Sequence, residues 1–319
     1  MDPVIGIGLI SCGYKLYPAT CTGNQSRLAA PPDFRPASRT QQPASGNINY
    51  RNFTFLNFTD LMSRFKLTIE YEGTRYSGWQ MQKGGKTIQG EILDACKDLF
   101  GNKAIDLFGA GRTDSGVHAT GQVAHLDVDT DLPALRIKYG INDRLPPDIC
   151  ILDVEPVSGE FHARRNAVAR SYIYQISKRR TAFGKKFVCW IKDPLDIDQM
   201  NAAARHFIGL KDFRSFTDEE QEQGSTKVEI KYARVAEFSD LIIFHIVGSH
   251  FLWKQVRRMA GVIIEAGRGK LTADDVKSFL VKRSEIPARS TAPPSGLFLE
   301  KVYYRKEDIV YETKPVINI

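Results

Sequence analysis

The sequence predicts an α+β fold with a largely antiparallel sheet. Three observations carry that expectation: short segments alternating apolar and polar residues, two successive cycles of strands and helices, and no regular βαβ order. The chain has 319 residues, which allows one large or two modest domains. No short repeat period is present.

The elements follow in order. "FKLTIEY" (65–71) alternates as a half-buried strand should. "TIQGEILDACKDLFG" (87–101) sets Ile88, Ile92, Cys96 and Leu99 at helical spacing, with Gly101 as a stop. Strands are expected at 104–109 and 121–128, then a helix over 133–145 ended by "LPPD", then strands at 148–157 and 170–177. A second cycle begins with a helix over 196–208 that buries Ile197, Met200, Ala204 and Phe207. The polar segment 217–229 reads as a loop. "YARVAEFSD" and "LIIFHIVGS" form a strand pair turning at Ser239–Asp240. A long helix over 251–267, a further helix over 272–283 and a last strand over 296–304 complete the pattern.

With 42% hydrophobic and 25% charged residues the chain can bury a core. Its net charge of +7 favours a polyanionic partner, although charge alone names none. Five cysteines without a C-x-x-C pair argue against a structural zinc site and a disulfide framework. No apolar run approaches the ~20 residues needed to span a bilayer. The first 50 residues hold six of the 15 prolines, four Lys/Arg and only two acids, Asp2 and Asp33. That composition is compatible with an organellar transit peptide or with a disordered tail. The apolar run "VIGIGLI" (4–10) is preceded by Asp2 and no base, which argues against a secretory signal.

The stretch "LFGAGRTDSGVHATGQVAHLD" (107–127) concentrates unusual chemistry. Its G-x-G lacks the third glycine of a dinucleotide fingerprint and carries Asp114 there, an acid that would repel a pyrophosphate. His118 and His125 lie seven apart and could share a helix face, but Gly121 and the alternating stretch after it favour a strand. "DVDTD" (127–131) lacks the glycine and terminal glutamate of a calcium loop, so no metal is expected. Asp114 remains as a nucleophile, a general base or an ordinary turn aspartate. Gly109, Gly111 and Gly116 would clear space for a bulky ligand, and Arg112 can meet a phosphate or a base. "FHARRNAVARSYIYQISKRR" (161–180) interleaves bases with Phe161, Tyr172 and Tyr174. It reads either as an RNA-contacting strand or as a basic strand whose tyrosines pack in the core. In the helix over 251–267 the apolar stripe is Leu252, Val256, Met259 and Ile263. Arg257 lies off the stripe, where solvated surface is the default.

At these residues the sequence resembles the TruA family of tRNA pseudouridine synthases. The motifs that carry the resemblance run in order over almost all of 65–305. They include "YEGTRYSGWQMQ", "GAGRTDSGVHATGQVAH", "NDRLPPDI", "FHARRNAVARSYIYQI", "GLKDFRSF", "FLWKQVRRMAGVIIEAGRGK" and "TAPPSGLFLEKVYY". The resemblance implies a pseudouridine synthase fold, with two α/β halves around a central cleft. It also implies isomerisation of uridine to pseudouridine in the tRNA anticodon stem-loop, at nucleotides 38 to 40, without cofactor or metal. The expected parts are an N-terminal extension (1–62), an N-terminal half bearing the aspartate loop (63–165), a C-terminal half (166–305) and a tail (306–319). By the resemblance Asp114 is the essential aspartate, Arg257 the arginine that pairs with it, and Tyr172 the tyrosine that stacks on the target base. Arg112 helps extrude the nucleotide. Gly111, Arg164, Arg170, Lys254 and Arg258 are the further expected substrate contacts. tRNA is the expected partner and a homodimer the expected assembly, in a plastid or mitochondrion if the extension is a transit peptide and in the cytoplasm otherwise. A non-catalytic RNA-binding protein on the same scaffold is the rival reading. Three positions depart from the family pattern: Ser115 for a usual alanine, Arg165 for a usual aromatic, and "WKQVR" (253–257) for "RHMVR".

Overall fold

The computed structural model describes residues 63–218 and 224–319. The expectations for the N-terminal extension lie outside the described residues.

The first cycle contains β1 (Ser63–Tyr71), α1 (Ile88–Phe100), β2 (Ile105–Gly109), β3 (His118–Val128), α2 (Ala134–Asn142) and β4 (Ile149–Val157). The second contains β5 (Ala169–Ser177), β6 (Cys189–Trp190), α3 (Ile197–Arg205), β7 (Gly209–Asp212), β8 (Lys227–Phe238) and β9 (Leu241–Gly248). It closes with α4 (Gln255–Gly267), α5 (Ala273–Phe279), α6 (Ile286–Arg289) and β10 (Leu297–Tyr303). Local chemistry sets the helix ends. The Thr87 side chain accepts from Gly90 N at the start of α1, and Gly101 ends it with φ 70°. Thr272 and Asp275 form a reciprocal capping box on α5.

The strands join in one sheet in the order β4-β1-β3-β10-β5-β9-β8-β7, with β2 on β3 and β6 on β5. Pairing is antiparallel except at β10–β3 and β5–β6, which is the α+β arrangement the segment order predicts. β10 is the seam. It pairs with β3 of the first cycle through Phe298 and Leu299, and with β5 of the second along its whole length. The two halves therefore share one continuous sheet. α1 packs on α2, and α3 packs on α4 and β8.

Every residue of β5 and β9 is buried, because both faces of the sheet are covered there. Tyr172, Tyr174, Ile176, Ile242, Phe244 and Ile246 enter the main core. Ile173, Leu241 and Ile243 point to the other face, against Val316 and Ile319 of the tail. There the Gln175 side-chain oxygen accepts from Val316 N at 2.7 Å.

The helices over 133–145, 196–208 and 272–283 end three or four residues short of expectation, at Asn142, Arg205 and Phe279, and three starts also differ. β3 begins at His118, three residues early, because Ala119 pairs with both Tyr71 and Leu299. β8 begins at Lys227 inside the segment read as a loop; Val228 and Ile230 alternate inward between charged Lys227 and Glu229. The helix expected from 251 starts at Gln255. Lys254 takes the left-handed conformation (φ 59°), and the Gln255 side chain accepts from Leu252 N, so 251–254 form a turn.

Candidate active site

Asp114 lies on the loop between β2 and β3, and that loop is held from the opposite side by 71–79. The Tyr71 and Thr113 hydroxyls are 2.8 Å apart and buried. Trp79 N donates to Thr113 O at 3.1 Å, Gly116 N to Tyr76 O at 3.3 Å, and Ser115 Oγ to Tyr76 O at 3.0 Å. A Cβ on Gly78 (φ 95°) would stand 2.5 Å from Thr113 O, so only glycine allows this approach. Val117 N donates to Asp114 O at 3.2 Å, which makes the aspartate part of a tight turn with a fixed side-chain exit. Tyr71, Gly78 and Trp79 carry no sign of this duty in the sequence beyond the unusual density of "YEGTRYSGWQ".

Across the cleft, the first turn of α4 presents Arg257. Its Nη1 is 3.2 Å from Asp114 Oδ2, and its Nε donates to Ala292 O at 2.9 Å. Ala292 N in turn donates to Arg257 O at 3.0 Å. The guanidinium is thus held at two points and aimed at the carboxylate, contrary to the solvated default for a residue off the apolar stripe. Tyr172, on β5, lines the same cleft and is 9% exposed. Phe251 meets its ring edge-on, with centroids 5.1 Å apart. Burial pushes the Tyr172 phenol up to about 12, with the Asp114 charge adding to the shift and the Arg170 charge opposing it.

These groups line an open cleft of about 730 Å³. Gly111, Arg112, Arg164, Arg170, Trp253 and Lys254 also line it. Arg112 is exposed, with Nε on Gln80 Oε1 at 3.1 Å, and Arg164 is exposed on the rim.

Two of the expected RNA contacts are committed elsewhere. The Arg170 guanidinium is buried and donates to the carbonyls of Ala110 (3.0 Å), Arg164 (2.9 Å) and Ser249 (2.8 Å). It ties three segments of the cleft wall together, and both terminal nitrogens are engaged with backbone carbonyls. Arg258 is buried as well and pairs with Asp218. Successive helical residues point about 100° apart, so Arg257 and Arg258 cannot both face the cleft.

The glycines also divide. Gly111 faces open space, as a ligand clearance would require. A Cβ on Gly109 would strike the Trp79 ring at 2.5 Å, and Gly116 serves a turn with φ 78°. Those two are needed by packing and by the backbone. His118 is buried, accepting from Gly73 N at 3.0 Å while its other nitrogen meets Lys186 O at 2.9 Å. His125 accepts from Ala163 N and stacks on Phe108. Asp127 forms a two-point pair with Arg64 at 2.6 Å. Among the described residues no three His, Cys, Asp or Glu side chains gather as a metal site.

A family model described as tRNA pseudouridine synthase matches residues 67–164 and 203–305. A tRNA pseudouridine synthase A from Rhodopseudomonas palustris is 42% identical over 246 residues, 76% of this chain and 100% of that protein. Proteins of the same name from an Exiguobacterium species (38% over 247 residues, 77% and 100%) and Myxococcus xanthus (39% over 247 residues, 76% and 93%) are similar to it. The chain belongs to the tRNA pseudouridine synthase family. Asp114 and Arg112 fall in the first matched stretch of the family model and Arg257 in the second. Tyr172 falls between the two, on β5. The cleft of this family member is therefore assembled from both stretches and the connection between them.

Proposed function

We propose that this chain isomerises uridine to pseudouridine in the tRNA anticodon stem-loop, at nucleotides 38 to 40. Asp114 is the essential carboxylate, Arg257 orients it, and Tyr172 stacks on the target base. The reading rests most on one arrangement: a carboxylate held 3.2 Å from a clamped guanidinium, beside a tyrosine ring, in an open cleft. In the reaction the N1–C1′ bond breaks, the base rotates, and C5 bonds to C1′. The proton lost from C5 is balanced by one gained at N1. No atoms or electrons are added.

Each group has work suited to its setting. A base stacked in a stem cannot offer its glycosidic bond to Asp114, so the nucleotide must be flipped out, at a cost of a few kcal/mol. Tyr172 offsets part of that cost by stacking, and exposed Arg112 can fill the place the nucleotide leaves. The buried Tyr172 hydroxyl stays protonated at neutral pH. It can therefore take the C5 proton only while passing its own onward, as a relay and not as a phenolate base.

Tritium release from 5-tritiated uridine in tRNA tests the assignment. The wild type is expected to release tritium, and Asp114→Asn to lose release by 10³-fold or more, on the order seen when a covalent or electrostatic centre is removed. Retained release by that variant would remove Asp114 from its role. Release by no form on any tRNA would leave the rival RNA-binding reading. We further propose a homodimer, checked by sedimentation equilibrium, and an organellar address in residues 1–62. Fusion of that segment to a fluorescent reporter tests the address, and a purely cytosolic signal would sink it.

A further inference from the structure

We propose that Trp253 is a nucleobase-stacking site on the wall of the cleft, taking an unpaired base other than the one presented to Asp114. The proposal rests on the RNA substrate of the reading above and extends it to a second contact. Trp253 lines the cleft and is 50% exposed, whereas Trp79 is fully buried in the core. A large, half-exposed ring in a cleft that Arg112, Arg164 and Lys254 also line gives the wall both aromatic surface and positive charge. That pairing matches single-stranded nucleic acid, whose bases stack on aromatic rings while basic side chains follow the phosphates.

The indole is also held in place. Lys254 Nζ lies 4.1 Å from its ring centroid, and the same ammonium is 3.3 Å from Asp218 Oδ2. A cation over the ring, itself anchored by a carboxylate, limits the rotamers of the indole before any ligand arrives. The backbone supplies a third observation. Among the described residues the non-glycine residues with positive φ are Ser239 and Lys254. Ser239 sits in the two-residue turn between β8 and β9, where such a conformation is ordinary. Lys254 is in no hairpin. This left-handed residue lies between Trp253 and the start of α4, and on the same turn Phe251 meets Tyr172 edge-on while Trp253 lines the cleft. Strain of this kind persists where the surroundings enforce it, often at binding sites. One turn therefore supports the platform for the target base and presents a second platform beside it.

The experiment uses the full chain with two RNA probes, an unmodified anticodon stem-loop and a fully paired duplex of matched length. Equilibrium binding is measured from low to high KCl for the wild type and for Trp253→Ala, Trp253→Phe and Trp253→Arg. Loss of one stacked base is expected to raise the stem-loop Kd of Trp253→Ala roughly tenfold at every salt concentration, leaving the slope of log Kd against log salt unchanged. Trp253→Phe stays within about threefold of wild type, because the ring remains. Trp253→Arg steepens the salt slope, because a charge replaces a π-face. On the duplex, Trp253→Ala and wild type bind alike. An unchanged stem-loop Kd for Trp253→Ala overturns the proposal, as does an equal loss on duplex and stem-loop. The readout is binding, so a wild type that binds with these dependences but forms no pseudouridine defeats the isomerase reading and leaves the stacking site standing. A wild type that binds neither RNA defeats both.

Discussion

At the scale of single residues, the side chains that carry chemistry are those whose surroundings take away their freedom. Arg257 is held by Ala292 O and Asp114 together. Lysine at that position keeps the charge and loses the fork that reaches both partners. Arg257→Lys is therefore expected to lower kcat by about 10²-fold while leaving tRNA binding within a few-fold, since one oriented charged donor is worth about 2.7–4 kcal/mol in a transition state. Single-turnover and filter-binding measurements separate the two effects. Tyr172→Phe keeps the ring and removes the hydroxyl. A proton relay predicts kcat down by about 10²–10⁴-fold with KM little changed, and full activity would exclude the relay. In the wild type the phenol pushed up to about 12 should leave the rate between pH 7 and 10 free of any limb due to phenolate formation. Asp114 was visible in the sequence as an isolated acid among glycines, with turn and catalytic readings both open. Its partner lies 143 residues away, a separation that no local pattern spans. Arg170 and Arg258 show the opposite failing. Their residue type promised phosphate contacts, and only packing shows that Arg170 is tied to backbone carbonyls and Arg258 to Asp218.

Among elements, α4 matters most, because its first turn carries Arg257 and its middle receives the segment that holds Arg257 in place. Gly261 makes that docking possible. A Cβ there would fall 1.6 Å from Ser290 O and 2.7 Å from Ser290 C, both backbone atoms that cannot swing aside. Gly261→Ala would push 290–292 off the helix and carry Ala292 O away from Arg257. The expected result is a stability loss of about 1–3 kcal/mol from overpacking, with kcat lowered beyond what the lost folded fraction explains. Urea unfolding with activity measured at saturating tRNA checks both parts, and a variant with normal stability and activity would count against this coupling. Element types were largely legible, since periodicity reports which face is buried. Their ends were less so. The turn at 251–254 interrupts a sequence that looks helical throughout, because side-chain capping by Gln255 and the conformation of Lys254 decide the start. β6, β7 and α6 are too short to show a period and escaped notice.

For the whole molecule, the continuous sheet places the aspartate loop of one half against α4 and β5 of the other, so the integrity of the fold and of the cleft are linked. Buried histidines make that fold sensitive to acid. Burial, with Arg64 nearby, pushes His125 down to about 4, and burial also lowers His118. An unfolded histidine titrates near 6.5. Between those values the unfolded chain binds more protons, so stability rises with pH across the window and is lost as pH falls from about 6.5 towards 4. The urea midpoint is expected to drop between pH 7.5 and pH 5, and His125→Gln to flatten the dependence. A midpoint equally pH-dependent in that variant would assign the effect elsewhere. At neutral pH the net charge of +7 should make tRNA affinity fall with salt, through release of counterions from the phosphates.

By itself, the sequence determined the α+β class, the order and faces of the main strands and helices, and the short list of residues able to do chemistry. It did so because burial imposes a period on each segment and because residue type limits what a side chain can do. Tertiary structure alone decided which of those residues meet. Through-space pairing at β10 brings Asp114, Tyr172 and Arg257 into one cleft, ties Arg170 into its wall and buries Arg258 against Asp218. It also places Trp253 on that cleft. Contacts between distant segments depend on how the whole sheet closes, and no single stretch of chain records that.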